Sequence, residues 1–429
     1  MGEDKMKKLC AGILTLGILF GISGSGCADL AETQKFDDGT MHSVSENVVV
    51  TEGNGIEALN GSNVILESGF GVSGGYVGVS AADENSMVTV IDGEVSGVFG
   101  ALADHGGRVV VNGSLTGSGE DGSGRGAVAW NEGRVSVTGS VSGEYSGAYA
   151  AEGAGMISVT GDVFGTGENS VGAEAQDGGE ISVKGKVEGV YSGVYSEGSG
   201  SSISVTGNVS GVGIDGAGAE AYAGGIVRIT GNVSGNNYGV YAVNTGSRIY
   251  VNGNITGSGD YGVCIEEGGR VEVSGDISGK IGIQDGTLLA EGLVTGAVEL
   301  LYPEETVFGA EICLGQIDGE ILGDAGNYLR FLIGTDKGNI RVSGDIIDGE
   351  ISGEDTISGK SYVMTKRLSE IAGISETEIR IESATGKQLA FPENLPGVTV
   401  KDNGDGTYSL SVVPKDFRGG LSSLSPEKA

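Results

Sequence analysis

Tyrosine and glutamate alternate at one position of a repeated glycine-containing motif, and both are side chains that can bind carbohydrate. The position lies two residues after a recurring glycine, and its copies are about 21 to 25 residues apart. Tyrosine rings can stack on sugar faces, and carboxylates accept hydrogen bonds from hydroxyl groups. A surface ladder that tolerates large side chains fits the same pattern. The column, predicted to face outward, reads Val128, Tyr149, Glu174, Tyr195, Glu220, Tyr241 and Cys264.

Other signals for catalysis are sparse. The two histidines, His42 and His105, are far apart and lack the spacing of a helical metal site. No Gly-x-Ser-x-Gly motif stands between a predicted strand and a helix. The many acidic residues would allow a paired-carboxylate glycosidase, but no pair is distinguished from the acidic background. We therefore expect no catalytic residues, no metal site and no cofactor.

Two further polar columns have a structural and a functional interpretation each. Asn208, Asn232 and Asn254 recur at a corner position, where their amides would form a ladder, and they also match the acceptor pattern for N-linked glycans. The bacterial type of the N-terminal signal favours the ladder. Acidic loops such as Glu120-Asp121 could bind calcium, but the calcium-binding nonapeptide does not recur, and solvated loops explain them better.

The repeat itself predicts the architecture that positions these columns. Each copy carries Val-x-Val-x-Gly-x-Val-x-Gly, as from Val135 to Gly143, followed by a short segment with inward alanines such as Ala148 and Ala150. This pattern predicts three short half-buried strands per copy, joined at glycine corners. Such a unit is one coil of a single-stranded, right-handed parallel β-helix, and about 11 coils would stack to bury a continuous core. The anchor glycines are Gly55, Gly78, Gly100, Gly126, Gly147, Gly172, Gly193, Gly218, Gly239, Gly262 and Gly282.

Composition and charge support an ordered, acidic, turn-rich β protein. The 429 residues include 84 Gly and 5 Pro, yet 38% are hydrophobic and no Gly-x-y period is present, which argues against both collagen and disorder. The formal net charge is −33. A nucleic acid or an anionic lipid surface would be repelled by this charge, so nucleic-acid binding is not expected.

The N-terminus predicts export. Lys5, Lys7 and Lys8 precede an apolar run over Leu9–Ile22 that is too short to span a membrane, and small residues follow, so residues 1–28 are interpreted as a signal peptide. Two cleavage outcomes stay open. Ordinary cleavage would remove Cys27, whereas the Ser-Gly-Cys sequence also resembles a lipobox, in which Cys27 would carry lipid and attach the protein to a membrane. Either outcome predicts an extracytoplasmic location, secreted or on a bacterial surface.

Flanking segments depart from the repeat. Cys264 and Cys313 could form one disulfide, but the sequence does not place them together. A short helix is predicted near Thr365 to Ala372, and a β-hairpin is predicted around Asn403 to Gly406. The predicted organisation is a linker or N-terminal cap over 29–54, the β-helix over 55–290, irregular final coils or a cap over 291–326, a small β or α+β module over 327–416 and a disordered tail over 417–429.

Repeats such as VSVTGSVSGEYSGAYAAEGAG and ISVTGNVSGVGIDGAGAEAYAGG resemble the Gly-rich right-handed β-helix proteins of bacterial surfaces, including adhesin-type repeats and autotransporter-like passengers of the pectate-lyase-like superfamily. The resemblance covers about 55–290 and implies a surface adhesin, stalk or structural protein that binds glycans or cell-surface and matrix proteins. The chain lacks a C-terminal membrane barrel pattern, an LPxTG-like sorting signal and the polygalacturonase residue set. A polysaccharide-degrading β-helix enzyme is the alternative.

Overall fold

The computed structural model describes residues 29–300, apart from 120 and 285, together with further strands between 309 and 412. Side chains are described up to residue 297. All regular structure in these residues is β, and the parallel strands stack as a β-solenoid of about 11 turns, which confirms the predicted fold class. The signal peptide with Cys27, the helix predicted near Thr365 to Ala372 and the predicted tail lie outside the described residues.

The chain divides into two compact units, which are described separately. The N-terminal unit comprises Met1–Gly213 and Gly225–Val227, and the C-terminal unit comprises Ile214–Gly224 and Arg228–Ala429. Among the described residues, no helix has the length and apolar character needed to cross a membrane.

Each turn of the N-terminal unit contributes one strand to each of three parallel sheets. We call the first of these sheets the anchor face, because its strands contain or follow the anchor glycines. Its strands are β1 (Gln34–Phe36), β4 (Ile56–Ala58), β7 (Val77–Ala82), β10 (Phe99–Asp104), β13 (Arg125–Ala129), β16 (Ser146–Ala150), β19 (Val171–Gln176) and β22 (Ser192–Glu197).

The second sheet follows the anchor face around the corner. It contains β2 (Met41–Val44), β5 (Asn63–Leu66), β8 (Met87–Val90), β11 (Arg108–Val111), β14 (Arg134–Val137), β17 (Met156–Val159), β20 (Glu180–Val183) and β23 (Ser202–Thr206). The third sheet has strands of three residues. It contains β3 (Val48–Val50), β6 (Val72–Gly74), β9 (Val95–Gly97), β12 (Leu115–Gly117), β15 (Val141–Gly143), β18 (Val163–Gly165), β21 (Val187–Gly189) and β24 (Val209–Gly211).

The C-terminal unit repeats this three-strand turn and then departs from it. Its anchor face contains β25 (Ala217–Tyr222), β28 (Tyr238–Val243), β31 (Tyr261–Glu266) and β34 (Ile281–Ile283). The other strands of its regular turns are β26 (Ile226–Thr230), β27 (Val233–Gly235), β29 (Arg248–Asn252), β30 (Ile255–Gly257), β32 (Gly269–Val273), β33 (Ile277–Ser278), β35 (Gly286–Thr295) and β36 (Val298–Leu300). The first two residues of β26 belong to the N-terminal unit. Its later strands are β37 (Gly309–Leu322), β38 (Tyr328–Ile333), β39 (Lys337–Ser343), β40 (Ser361–Met364), β41 (Thr377–Ser383), β42 (Val398–Asp402) and β43 (Thr407–Val412).

The interior is filled by the alternate residues of every strand. Ala148 and Ala150 lie opposite Ala173 and Ala175 on the next turn, and all four are fully buried, as the sequence predicted. On β14 the valines at 135 and 137 point inward while Ser136 points away from the core. Because one turn cannot enclose its own apolar side chains, this packing stabilises the fold only when turns stack.

Glycine is required at the start of the anchor strands because the backbones approach closely there. A Cβ atom at Gly147 would lie 2.7 Å from the carbonyl oxygen of Gly172 on the next turn and 2.8 Å from that of Phe164. Real Cβ atoms do not make such contacts, so any side chain would push the turns apart. The spacing of the anchor glycines therefore indicates which residues of successive turns lie opposite one another.

Two terminal segments show pairings that the sequence pattern did not reveal. Within 29–54, predicted as a linker or cap, β1 to β3 pair in parallel with β4 to β6 and form the first described turn. Beyond residue 300, β37 pairs in parallel with β35, β38 and β39, so this pairing runs past residue 327. The pairing of β42 with β43 is antiparallel, from Val398 opposite Val412 to Asp402 opposite Tyr408, as the predicted hairpin requires.

Candidate functional site

Within each unit, the register brings the predicted Tyr and Glu column together on the outer side of the anchor face. In the N-terminal unit, Val128 lies opposite Tyr149, Tyr149 opposite Glu174, and Glu174 opposite Tyr195. In the C-terminal unit, Glu220 lies opposite Tyr241 and Tyr241 opposite Cys264. The residues on either side of these positions are buried in the core, so the column itself points outward from the sheet.

The outward column is nevertheless largely covered. Glu174 is 5% exposed and Glu220 is 3% exposed, whereas Tyr149, Tyr195 and Tyr241 are half-buried. Spacing alone predicted an open display of carboxylates, but long neighbouring side chains close over them. A carboxylate in such a place must find hydrogen-bond donors within the protein, because burial without partners is strongly unfavourable.

Glu174 obtains its donors from its own turn and from the turn before it. Ser146 Oγ donates to Glu174 Oε2, and Gln176 Nε2 donates to Glu174 Oε1 at 3.1 Å. Tyr149 donates its hydroxyl hydrogen to Gln176 Oε1 at 3.3 Å. These bonds link consecutive turns through side chains in addition to the backbone ladder.

Arg125 provides the cation of this network, and the sequence reasoning did not identify it. Its guanidinium lies 4.4 Å from the ring centre of Tyr149 and 4.8 Å from that of Tyr145. Burial raises the pKa of Glu174, while the Ser146 hydrogen bond and the charge of Arg125 oppose this shift. Burial and the nearby Glu174 likewise raise the pKa of Tyr149. The sequence does carry a signal for this residue, because Arg125 is the one charged residue at its position of the repeat.

An apolar cluster lies beside this network, also on the outer side of the anchor face. Phe99 contacts Trp130 edge-to-face with ring centres 5.9 Å apart, and Tyr76 lies 5.4 Å from Phe99. Val128 and Leu102 pack against the same group. We call these residues the outer aromatic cluster. The buried Nε of Arg125 and Nε1 of Trp130 have no hydrogen-bond partner among the described residues.

The anchor face of the C-terminal unit carries a chain of tyrosine rings, which we call the tyrosine cluster. Tyr238 stacks on Tyr241 with ring centres 5.1 Å apart and on Tyr261 with ring centres 6.2 Å apart. Tyr222 contacts Tyr241 edge-to-face at 5.6 Å. Sequence analysis identified one member, Tyr241, because the others occupy different positions of the repeat.

Carboxylates accept hydrogen bonds from the tyrosine hydroxyl groups of this cluster. Tyr241 donates to Glu266 Oε2 at 2.8 Å, and Tyr222 donates to Glu220 Oε1 at 3.1 Å. Cys264 is 2% exposed and forms no disulfide with any described side chain, and its Sγ contacts Glu266 Oε1 at 3.8 Å. The side chain of Cys313, its possible disulfide partner, lies outside those described. Burial and then the neighbouring Glu266 raise the pKa of both Tyr241 and Cys264, so both keep their protons at neutral pH.

The corner asparagines form the predicted ladder in the C-terminal unit. The side-chain oxygen of Asn232 accepts from the backbone N–H of Asn254 at 3.0 Å, and that of Asn254 accepts from Asp276 at 2.8 Å. Asp276 in turn accepts from Leu293 at 2.8 Å. The side chains of Asn232 and Asn254 therefore satisfy backbone donors of the following turn.

The remaining sequence candidates lie apart from these networks. His42 Nε2 is 2.8 Å from Asp38, and bonds from His42 and Thr40 lower the pKa of Asp38 to about 2. His105 contacts Asp104 at 2.9 Å. The described side chains include no group of three or more acidic, histidine or cysteine residues placed to hold a metal ion.

The polar and aromatic side chains on these outer faces mainly contact side chains of neighbouring turns. The rings of Tyr149 and Tyr241 contact a guanidinium or another ring, and the buried carboxylates accept hydrogen bonds from serine, glutamine or tyrosine. The β-solenoid fold itself is compatible with surface or structural proteins and with polysaccharide-degrading enzymes. No family model and no curated protein matches this chain.

Proposed function

We propose that this protein is a secreted or surface-anchored β-solenoid with a structural role, a stalk or matrix element that can also act as an adhesin. One observation carries the proposal: polar side chains of the candidate column form hydrogen bonds with side chains of the adjacent turn. Tyr149 reaches Gln176, Ser146 reaches Glu174 and Tyr241 reaches Glu266. Such bonds hold neighbouring turns in register and resist shear between them, as a surface element under mechanical force requires.

Charge supports the same role. A net charge of −33 keeps a repetitive β protein from associating through its edges and surfaces. Anchoring would follow from the N-terminal sequence, in which Cys27 is the residue that would carry lipid. The solenoid would then lie outside the cytoplasm. It would be attached to a membrane through lipid on Cys27, or released when Cys27 is removed with the signal peptide.

Surface location is tested by expressing the full chain in a bacterial host and labelling intact cells with an antibody to the solenoid. Lipid-anchored protein stays with the cells, and the Cys27→Ala variant appears in the medium or periplasm with a mature N-terminus near Asp29. Intact-mass analysis distinguishes the two products. Uncleaved protein that stays in the cytoplasm would contradict the whole proposal.

An adhesive role would use the part of the N-terminal unit where side chains remain accessible. Tyr76 is 54% exposed and Tyr145 is 38% exposed, and they lie beside the buried donors of Arg125 and Trp130. The mature chain should be screened against glycans and matrix proteins, with Tyr76→Ala and Tyr145→Ala as variants and Tyr191→Ala as an exposed control. Binding that none of these changes weakens, or no binding at all, refutes this adhesive site and leaves the structural role.

A polysaccharide-degrading activity is the second candidate, and the raised pKa of Glu174 is the observation that favours it. A general acid must hold a proton near neutral pH, which burial achieves for carboxyl groups. The test is release of oligosaccharides from a broad polysaccharide panel. Activity that Glu174→Gln abolishes would replace the structural proposal, and no release from any substrate would remove this candidate.

A further inference from the structure

The tyrosine cluster of the C-terminal unit has the arrangement of a path for one-electron oxidation. Tyr222, Tyr241, Tyr238 and Tyr261 are linked by successive ring contacts of 5.6, 5.1 and 6.2 Å. At such separations an electron passes readily between phenol rings, so oxidation of one ring is shared with the others. The four residues come from three successive anchor strands, so the path runs across the turns.

A proton acceptor is already in place at the centre of this path. A phenol that loses an electron becomes a strong acid and must release its hydroxyl proton. Tyr241 donates that proton to Glu266 Oε2 over 2.8 Å, so electron loss and proton transfer can occur together. The raised pKa of Tyr241 makes prior formation of a phenolate unfavourable, and coupled transfer to Glu266 avoids it. The anchor strands β25, β28, β31 and β34 contain no arginine or lysine to oppose the oxidation.

The last two rings of the path, those of Tyr238 and Tyr261, are positioned for covalent coupling. Tyr238 and Tyr261 are register partners on adjacent parallel strands, so their Cα atoms are about 4.8 Å apart. Their ring planes are inclined by 13°, and both side chains are half-buried. Rotation about the side-chain bonds can therefore bring the two ortho carbons into contact without moving the strands.

We propose that Tyr238 and Tyr261 form a site of oxidative cross-linking, where a one-electron oxidant joins consecutive turns through a dityrosine bond. Two oxidant molecules each take one electron, and two phenol groups each lose one proton. The resulting radicals couple through a carbon–carbon bond between ortho carbons. Each ortho hydrogen then moves to a phenol oxygen, so the product has lost two hydrogen atoms in total. Tyr241 with Glu266 is the positioning pair that receives the oxidation and passes it to Tyr238.

The experiment oxidises the mature chain at low concentration with photogenerated tris(bipyridyl)ruthenium(III), isolates monomer and maps cross-linked peptides by mass spectrometry. The expected product is a peptide pair containing Tyr238 and Tyr261 that has lost two hydrogens and shows dityrosine fluorescence. Tyr238→Phe and Tyr261→Phe keep the ring contacts but should each abolish this product. Glu266→Gln should lower its initial rate several-fold while the circular dichroism spectrum stays unchanged.

Tyr76 and Tyr191 serve as controls because they are 54% and 46% exposed, more accessible than any member of the cluster. If exposure alone governs the reaction, these two residues are oxidised first and the Tyr238 and Tyr261 peptide pair is absent, which overturns the proposal. Dityrosine found only in covalent dimers overturns it as well. An unchanged rate in Glu266→Gln with the cross-link present removes the role of Glu266 and retains the cross-linking site.

Discussion

The anchor face of the N-terminal unit and that of the C-terminal unit use the same repeat position for different chemistry. In the first, Glu174 is balanced by the charge of Arg125, and that guanidinium also covers the rings of Tyr145 and Tyr149. In the second, the rings stack on one another, and Glu266 accepts the hydroxyl of Tyr241. The core behind both faces is built from the same small residues and close-approach glycines.

This difference shows which part of the repeat is constrained and which is free. The inward positions and the anchor glycines are fixed by the spacing between turns, because any added atom would meet backbone. The outward positions are constrained only by one another, so a single arginine converts a stack of phenols into a charge-balanced network. Variation in function between turns would therefore arise on the outer side of the anchor face.

The largest expected effect comes from substituting the anchor glycines, which the anchor faces of both units share. Gly147→Ala in the N-terminal unit and Gly239→Ala in the C-terminal unit each place a Cβ against a backbone carbonyl of the next turn. We expect each to lower the free energy of unfolding by more than about 3 kcal/mol, measured by urea denaturation. Gly122→Ala is the control, because it meets no atom within 4 Å and suffers only from its φ of 75°. It should cost about 1 kcal/mol, and equal losses in all three variants would contradict the close-approach argument.

The next largest effect is expected from removing the charge of Arg125, which distinguishes the two anchor faces. Arg125→Met removes the charge beside Glu174 and the guanidinium contact with two rings, and we expect a loss of about 2 to 3 kcal/mol. Arg228→Met is the matched change in the C-terminal unit, where an exposed guanidinium lies 5.1 Å from the ring of Tyr250 alone. That variant should lose about 0.5 to 1 kcal/mol. Similar losses would show that Arg125 does not compensate the buried carboxylate.

The sequence was enough to predict which residues lie opposite one another on successive turns. It was not enough to predict how deeply their side chains are buried. The anchor glycines placed Tyr149 opposite Glu174 and Glu174 opposite Tyr195, because a one-residue slip would bring a side chain into the backbone approach. They did not predict the burial of Glu174. Glu174 contacts Ser146 and Gln176 and is compensated by Arg125, 49 residues earlier, and spacing carries no information on how these side chains turn.

The first turn shows a second limit. Residues from Gln34 to Val50 form three paired strands, yet they lack the anchor glycine by which the repeats were aligned. The anchor strand of this turn pairs with Ile56 to Ala58, and the residue in register with Gly55 is Thr33. An alignment that starts from the anchor glycines therefore could not detect this turn.

A smaller effect compares the two tyrosine hydroxyls. Tyr241 donates to a carboxylate at 2.8 Å, whereas Tyr149 donates to a neutral amide at 3.3 Å. Charge-assisted hydrogen bonds are the stronger kind, so Tyr241→Phe should lower stability by about 1.5 to 2 kcal/mol and Tyr149→Phe by about 0.5 to 1 kcal/mol. Thermal unfolding at pH 7 measures both losses. The reverse order would contradict the assignment of the stronger hydrogen bond to Tyr241.

The smallest effect concerns Glu174, and here the substitution is expected to stabilise. The folded pKa of Glu174 lies above its unfolded value of 4.5, so the folded protein holds this proton more tightly than the unfolded chain. The free energy of unfolding therefore falls as pH rises from 4.5 through the folded pKa. Glu174→Gln keeps an acceptor for Ser146 and removes the ionisation, so it should be more stable than the wild type at pH 8.

Below pH 4.5 this variant and the wild type should have equal stability, because both then carry a neutral group at position 174. Glu180→Gln, an exposed change on β20, is the matched control and should stay within about 0.5 kcal/mol at both pH values. Urea denaturation at pH 4 and pH 8 makes the comparison. A Glu174→Gln variant that is less stable than wild type at pH 8 would show that Arg125 holds Glu174 ionised in a net stabilising pair.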